Sequence, residues 1–80
     1  MEVNYRLKAL LLEVVENQIR DNNPKITKQT FERLVADGYD EVTAKEMIAA
    51  VVVGDLYHML KDKKTFNEKQ FTNKLSKLGR

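Results

Sequence analysis

Apolar residues recur along the chain at the three- and four-residue spacing of helices, and four such segments can be separated. They span approximately residues 3–21, 24–37, 41–61 and 68–78. No segment alternates apolar and polar residues over the length of a strand. The pattern predicts an all-α fold, a compact four-helix domain with a central, largely buried third helix, as a single domain over residues 1–80.

The first segment carries more apolar surface than one packed face requires. Its main repeat is Leu7, Leu10, Leu11 and Val14, with further apolar residues on the adjoining face. This helix is apolar over roughly 220° of its circumference, whereas a helix on one side of a domain needs a stripe of only about 100°. Since the third helix takes the centre, part of helix one is expected to stay exposed as a partner surface: Tyr5, Leu12, Val15 and Ile19. A two-fold homodimer is the expected association.

The third segment contains the run Val51, Val52 and Val53, which could also form a buried strand because β-branched residues favour strands. The residues on both sides have helical spacing, and small residues at Ala49, Ala50 and Gly54 suit close packing by neighbouring helices. The sequence therefore favours a helix.

Capping residues separate the helices. The stretch "DNNP" ends the first helix, and we expect Asn23 to cap the second with Pro24 at its first helical position. Gly38 is expected to end that helix with a positive φ, so that Tyr39 folds back, and Asp40 is the expected N-cap of the third helix.

The fourth helix has its own N-terminal signature. Asn67 is the expected cap with Gln70 three residues later, and Phe66 and Phe71 have the spacing of a hydrophobic staple.

Composition places the chain among ordinary globular proteins. It has 80 residues, of which 42% are hydrophobic and 32% charged, and it contains no cysteine. Disulfides and thiolate metal sites are therefore excluded. The chain shows neither the pattern of a signal peptide nor an apolar stretch of membrane-spanning length, so a cytoplasmic location is expected.

Charge is unevenly distributed. Residues 1–60 carry 7 Lys/Arg and 10 Asp/Glu, a balance of −3, whereas residues 61–80 carry 7 and 2, a balance of +5. Such a basic end can bind phosphates without sequence preference, or it can be a solvated lysine face. The candidate basic patch is Lys61, Lys63, Lys64, Lys69, Lys74, Lys77 and Arg80.

The corner at Gly38 has the outline of a helix-turn-helix DNA reader. A recognition helix presents Arg, Lys, Asn or Gln to base edges from its first turns. The first turns here offer Asp40, Glu41 and Glu46 beside Lys45, and phosphates would repel the three acids. We interpret this stretch as a structural corner.

Catalytic and metal sites are not expected. The chain has one histidine, His58, and one serine, Ser76, which lies among lysines without a neighbouring base. Glu13 and Glu16 lack the histidine of a helical di-metal site and are expected on the surface. His58 is expected to be a half-buried packing residue. We expect no cofactor and no small-molecule substrate.

The stretch "ENQIRDNNPKITKQTFERLVADGYDEVTAKEMIAAVV", followed by "DLYHMLKD" and "FNEKQFTNKL", resembles a group of small bacterial helical proteins of unknown function. Members often carry histidines at the positions of Leu12 and Glu46, so a chemistry that depends on them would be missing here. The residues that keep the group's pattern are Glu16, Gln18, Arg33 and Gly38. The resemblance implies the helical fold and no particular activity.

Taken together, these patterns predict a small protein–protein interaction or assembly module without catalysis. The alternative is a weak, sequence-independent nucleic-acid-associated protein that uses the basic C-terminal residues.

Overall fold

The computed structural model of the protein describes residues 5–63 and 65–79, and for Tyr5 the backbone alone. Along this part of the chain lie four helices: α1 (Tyr5–Asp21), α2 (Lys25–Ala36), α3 (Glu41–Asp62) and α4 (Glu68–Ser76). Within these ranges there is no strand, and none of the helices combines the length and apolar character that a bilayer crossing needs. The all-α prediction is confirmed, and the valine run at 51–53 is helical.

The corner between α2 and α3 has the predicted geometry. Gly38 has a φ of 107°, and its N–H donates to the carbonyl of Val35 at 3.0 Å. The N–H of Tyr39 donates to the carbonyl of Leu34 at 3.1 Å. This pair of bonds is the Schellman motif, in which the left-handed residue is usually glycine. Leu34 is fully buried, and Tyr39 packs against the core around it.

The predicted N-cap of α3 is present. The carboxylate of Asp40 accepts hydrogen bonds from the hydroxyl and from the backbone N–H of Thr43. These bonds stabilise the charged form, the hydroxyl contributing most, and they lower the pKa of Asp40 below its usual value.

The signature of α4 is also confirmed. Asn67 Oδ1 accepts from the backbone N–H of Gln70 at 3.0 Å. The rings of Phe66 and Phe71 lie 5.5 Å apart across this cap, as a hydrophobic staple requires. Phe71 is buried, so the staple joins the start of α4 to the core.

The corner between α1 and α2 differs from the prediction. Asn22 has a φ of 53° and donates to the carbonyl of Ile19, while the N–H of Asn23 donates to the carbonyl of Gln18. This is a second Schellman motif, with Asn22 in place of glycine. Asn23 therefore closes α1 and does not cap α2, whose N-cap is Pro24 without a side-chain hydrogen bond. The prediction was wrong by one position because the backbone N–H groups of both asparagines bond to carbonyls of α1.

Both α2 and α3 contact each of the other helices, while α1 and α4 make no contact in the described ranges, so the predicted central position is shared by α2 and α3. The buried hydrophobic residues are Val15, Leu34, Ala44, Ile48, Ala49, Val52, Phe71 and Leu75. Those on α3 all fall between residues 44 and 52. Only four of the 22 residues of α3 are buried, all on one face, and its C-terminal third carries exposed apolar side chains, so most of this helix is not buried as the sequence predicted.

Side chains from α2 and the following corner hold the C-terminal end of α4. The guanidinium of Arg33 donates to the carbonyls of Leu75 and Leu78, each at 2.9 Å. The hydroxyl of Tyr39 donates to the carbonyl of Gly79 at 3.1 Å. These carbonyls belong to the last turn of α4 and to the turn that follows it, so the bonds hold this end of the chain against α2 and the corner after it.

Candidate partner surface

The residues of helix one predicted to form a partner surface lie mainly against the core. The side chain of Val15 is 0% exposed, and Leu12 and Ile19 are half-buried and pack against the core cluster. The side chain of Tyr5 lies outside the described part. The expectation that this arc stays exposed is wrong for Val15, because α1 packs against both α2 and α3 through it.

The exposed apolar residues of α1 lie on its other apolar arc. Leu7, Leu10 and Val14 are 47%, 59% and 40% exposed. Their spacing of three and then four residues places them along one flank of the helix. Three residues of the main repeat thus face outward, whereas Leu11 and the arc beside it pack against the core.

A second exposed apolar stripe runs along the C-terminal third of α3. It consists of Val53, Leu56, Tyr57 and Leu60, whose exposed fractions range from 38% to 80%. Residues three, four and seven apart share one face of a helix. In the described part of the chain, no helix buries these four side chains as the core side chains are buried.

Two ion pairs show how α1 lies on α3. Lys8 Nζ is 2.9 Å from the carboxylate of Glu46, and Lys45 Nζ is 3.3 Å from that of Glu16. The α3 members are adjacent in sequence, whereas the α1 members are about 12 Å apart along their helix at 1.5 Å per residue. α1 therefore lies across α3 near residues 45 and 46, and the C-terminal third of α3 continues beyond these residues.

Helix geometry indicates which flank of α1 carries its exposed stripe. The flank of α1 that carries Glu16 borders a groove with Glu41 and Lys45, so it faces the N-terminal end of α3. At 100° per residue, Leu7 and Val14 are about 160–180° round the helix from Glu16, on the flank away from the N-terminal end of α3, whereas Leu10 lies nearer the solvent side. We call the combined surface the apolar face: Leu7, Leu10, Val14, Val53, Leu56, Tyr57 and Leu60.

The predicted basic patch is divided between the end of α3 and α4, and two of its lysines have partners. Lys74 Nζ lies 2.5 Å from the carboxylate of Asp55, and the ammonium of Lys61 lies 5.7 Å from the centre of the Tyr57 ring. Lys64 and Arg80 lie outside the described part. The remaining members are exposed: Lys63, Lys69 and Lys77.

The polar side chains considered for chemistry are separated from one another. His58 is exposed, so the predicted half-buried role is wrong. Its ring and that of Tyr57 are arranged edge to face, with their centres 5.9 Å apart. The hydroxyl of Ser76 donates to the carbonyl of Thr72, and Glu13 is exposed. No group of three His, Cys, Asp or Glu side chains within the described ranges could hold a metal ion.

A groove of about 810 Å³ lies between the C-terminal third of α3 and the start of α4. Its walls include His58, Met59 and Phe66, together with the ion pair of Asp55 and Lys74. The carboxylate nearest the histidine in sequence is thus already paired with a lysine. The groove has mixed polar and apolar walls.

Several residues singled out in the sequence have structural contacts in this fold. Glu16 pairs with Lys45, and Gln18 accepts a hydrogen bond from the buried hydroxyl of Thr27 at 2.8 Å. Arg33 bonds to the C-terminal end of α4, and Gly38 ends α2. Leu12 packs against the core, and Glu46 pairs with Lys8.

These contacts hold helices together, and the apolar face is the feature of the described surface that they leave unexplained. No known protein family, curated protein or solved structure matches the chain significantly.

Proposed function

We propose that the protein acts in the cytoplasm as a small interaction or assembly module without catalysis, and that the apolar face is where its partner binds. The observation that carries this proposal is the exposure of seven large apolar side chains in two stripes, one on α1 and one on α3. A chain without cysteine suits a reducing compartment.

The size of the face supports a binding role. Taking about 150–200 Å² for a fully exposed side chain of this kind, the exposed fractions amount to roughly 600 Å². The largest apolar patch on a monomeric protein is typically about 300–600 Å² and is often functional. The face is therefore at the upper end of what a protein without a partner exposes.

Affinity capture with two matched variants tests the proposal. Leu60 is 80% exposed and Val42 is 59% exposed on the same helix, so a glutamate at either position is compatible with the fold. We expect the tagged wild-type chain and Val42→Glu to retain the same protein from the native cell, and Leu60→Glu to lose it. Equal retention by all three chains would show that binding does not use the apolar face.

A further inference from the structure

We infer that the partner on the apolar face is a second copy of this chain, related by a two-fold axis that passes between Leu56 and Tyr57 of α3. This inference rests on the proposed function and specifies the partner. It places the interface on a different surface from the inward-facing arc of Val15 in α1.

The spacing of the α3 stripe is the first reason. Val53, Leu56, Tyr57 and Leu60 follow one another at intervals of three, one and three residues, which read the same in both directions. A two-fold axis perpendicular to α3 reverses the helix, so the stripe meets itself in register. Val53 then faces Leu60 of the second copy, and Leu56 faces Tyr57 of the second copy. Such self-complementarity is what a two-fold interface requires.

The area of the face is the second reason. A standard stable interface buries about 800 Å² on each partner. The apolar face exposes roughly 600 Å² by the side-chain areas used above, and polar side chains at its edge extend the contact. Pairing of two such faces therefore reaches the size of a specific interface.

The charges at the edge of the face are compatible with a second copy. Arg6 and Glu13 lie one turn from Leu10 on either side, and Lys61 lies over the ring of Tyr57. Arg6 and Glu13 are both exposed. The two signs are mixed, so identical faces do not repel each other, whereas a face that selects an acidic or basic partner carries mainly one sign.

The small core is the fourth reason. Two of the eight buried hydrophobic residues in the described part are alanines, Ala44 and Ala49. Domains of this size that lack disulfides often gain the missing apolar burial by association. A dimer through the apolar face would bury seven more large side chains.

Sedimentation velocity over a wide protein concentration range tests the inference. We expect the wild-type chain to reach twice its 9.3 kDa mass, and Leu56→Glu and Leu60→Glu to stay at 9.3 kDa with unchanged far-UV circular dichroism. Val42→Glu, on the same helix but outside the face, should dimerise like the wild type.

Cysteine pairing tests the geometry independently of the glutamate variants. The chain contains no cysteine, so single substitutions report single contacts. When Val53→Cys and Leu60→Cys chains carrying tags of different mass are mixed and mildly oxidised, we expect the mixed disulfide to form in preference to either homodimer. Val42→Cys should cross-link with neither.

A wild-type chain that remains at 9.3 kDa throughout would overturn the inference, and so would a dimer that persists in both glutamate variants. If the wild type is monomeric while Leu60→Glu still loses a captured protein, the interaction module stands and the second copy does not. If the wild type is monomeric and capture is unchanged, both proposals fail.

Discussion

The side chain of Arg33 connects α2 to the C-terminal end of α4, and its removal should destabilise the domain measurably. Arg33→Ala deletes both hydrogen bonds to the carbonyls of Leu75 and Leu78. It leaves the carbonyl of Leu78 without this donor, while the carbonyl of Leu75 still accepts from the backbone N–H of Leu78 at 3.1 Å. The neighbouring ion pair with Asp37 is long, at 3.8 Å, and partly exposed, so its loss should matter little.

The expected magnitude follows from the number and exposure of these bonds. A hydrogen bond from a charged donor contributes about 1.5–3 kcal/mol when it is shielded from water. The Arg33 side chain is 37% exposed, so we take about half of that for each bond. The free energy of unfolding should therefore fall by about 2 kcal/mol, which corresponds to roughly 10 °C in Tm for a domain of this size.

Urea unfolding followed by circular dichroism, at one fixed protein concentration, measures this loss. Arg33→Lys keeps the charge but cannot reach both carbonyls with a planar fork, so we expect about half the destabilisation. Arg20→Ala is the matched control, because Arg20 is an exposed arginine that pairs with its neighbour Asp21. Its free energy of unfolding in urea should equal that of the wild type.

A loss below about 0.5 kcal/mol in Arg33→Ala would refute the reasoning, since it would mean that the two bonds do not stabilise the end of α4. A lysine variant as stable as the wild type would show that charge, and not the paired geometry, is what matters.

The remaining predictions concern the corner, a cap and the basic residues. Gly38→Ala should cost about 1 kcal/mol because of its positive φ, whereas Gly54→Ala, with open space around its Cβ inside α3, should stabilise by roughly 0.5–1 kcal/mol in thermal melts. Because the pKa of Asp40 is lowered from 3.8, its contribution is present above that pH and is lost as the pH falls through the folded-state pKa. The wild type should therefore melt above Asp40→Asn at neutral pH and approach it in acid; a constant gap would contradict this account. Nucleic-acid binding in fluorescence anisotropy should be weak and blind to sequence, should fade by about 150 mM salt, and should vanish in the Lys63→Glu/Lys77→Glu double variant. Tight binding to one sequence at that salt concentration would contradict the interaction-module proposal.

The features predicted correctly from the sequence are those that a few consecutive residues determine. Gly38 ends α2 because only the local backbone must accept a positive φ. Asp40 and Asn67 cap their helices through backbone groups three residues away. Signals of this kind need no knowledge of how the helices pack, so the four helices and most of their ends could be predicted.

The features that were missed depend on packing between distant segments. Either apolar arc of α1 could have faced inward, and the position of α2 and α3 decides that Val15 is buried while Leu10 is exposed. The bonds of Arg33 connect it to residues more than 40 positions away, to backbone carbonyls that carry no sequence signature. For the same reason, the exposed apolar surface of α1 lies on a different flank from the one that the sequence predicted.

The lack of contact between α1 and α4 in the described ranges affects how the domain can open. Each of these helices rests on α2 and α3 through its own set of residues, so loss of one leaves the supports of the other in place. α4 can then detach in a sub-global opening that exposes Phe71 and Leu75 to solvent while α1 keeps its packing. Amide protons of α4 would exchange through this opening, ahead of global unfolding, and the apolar face would persist throughout it.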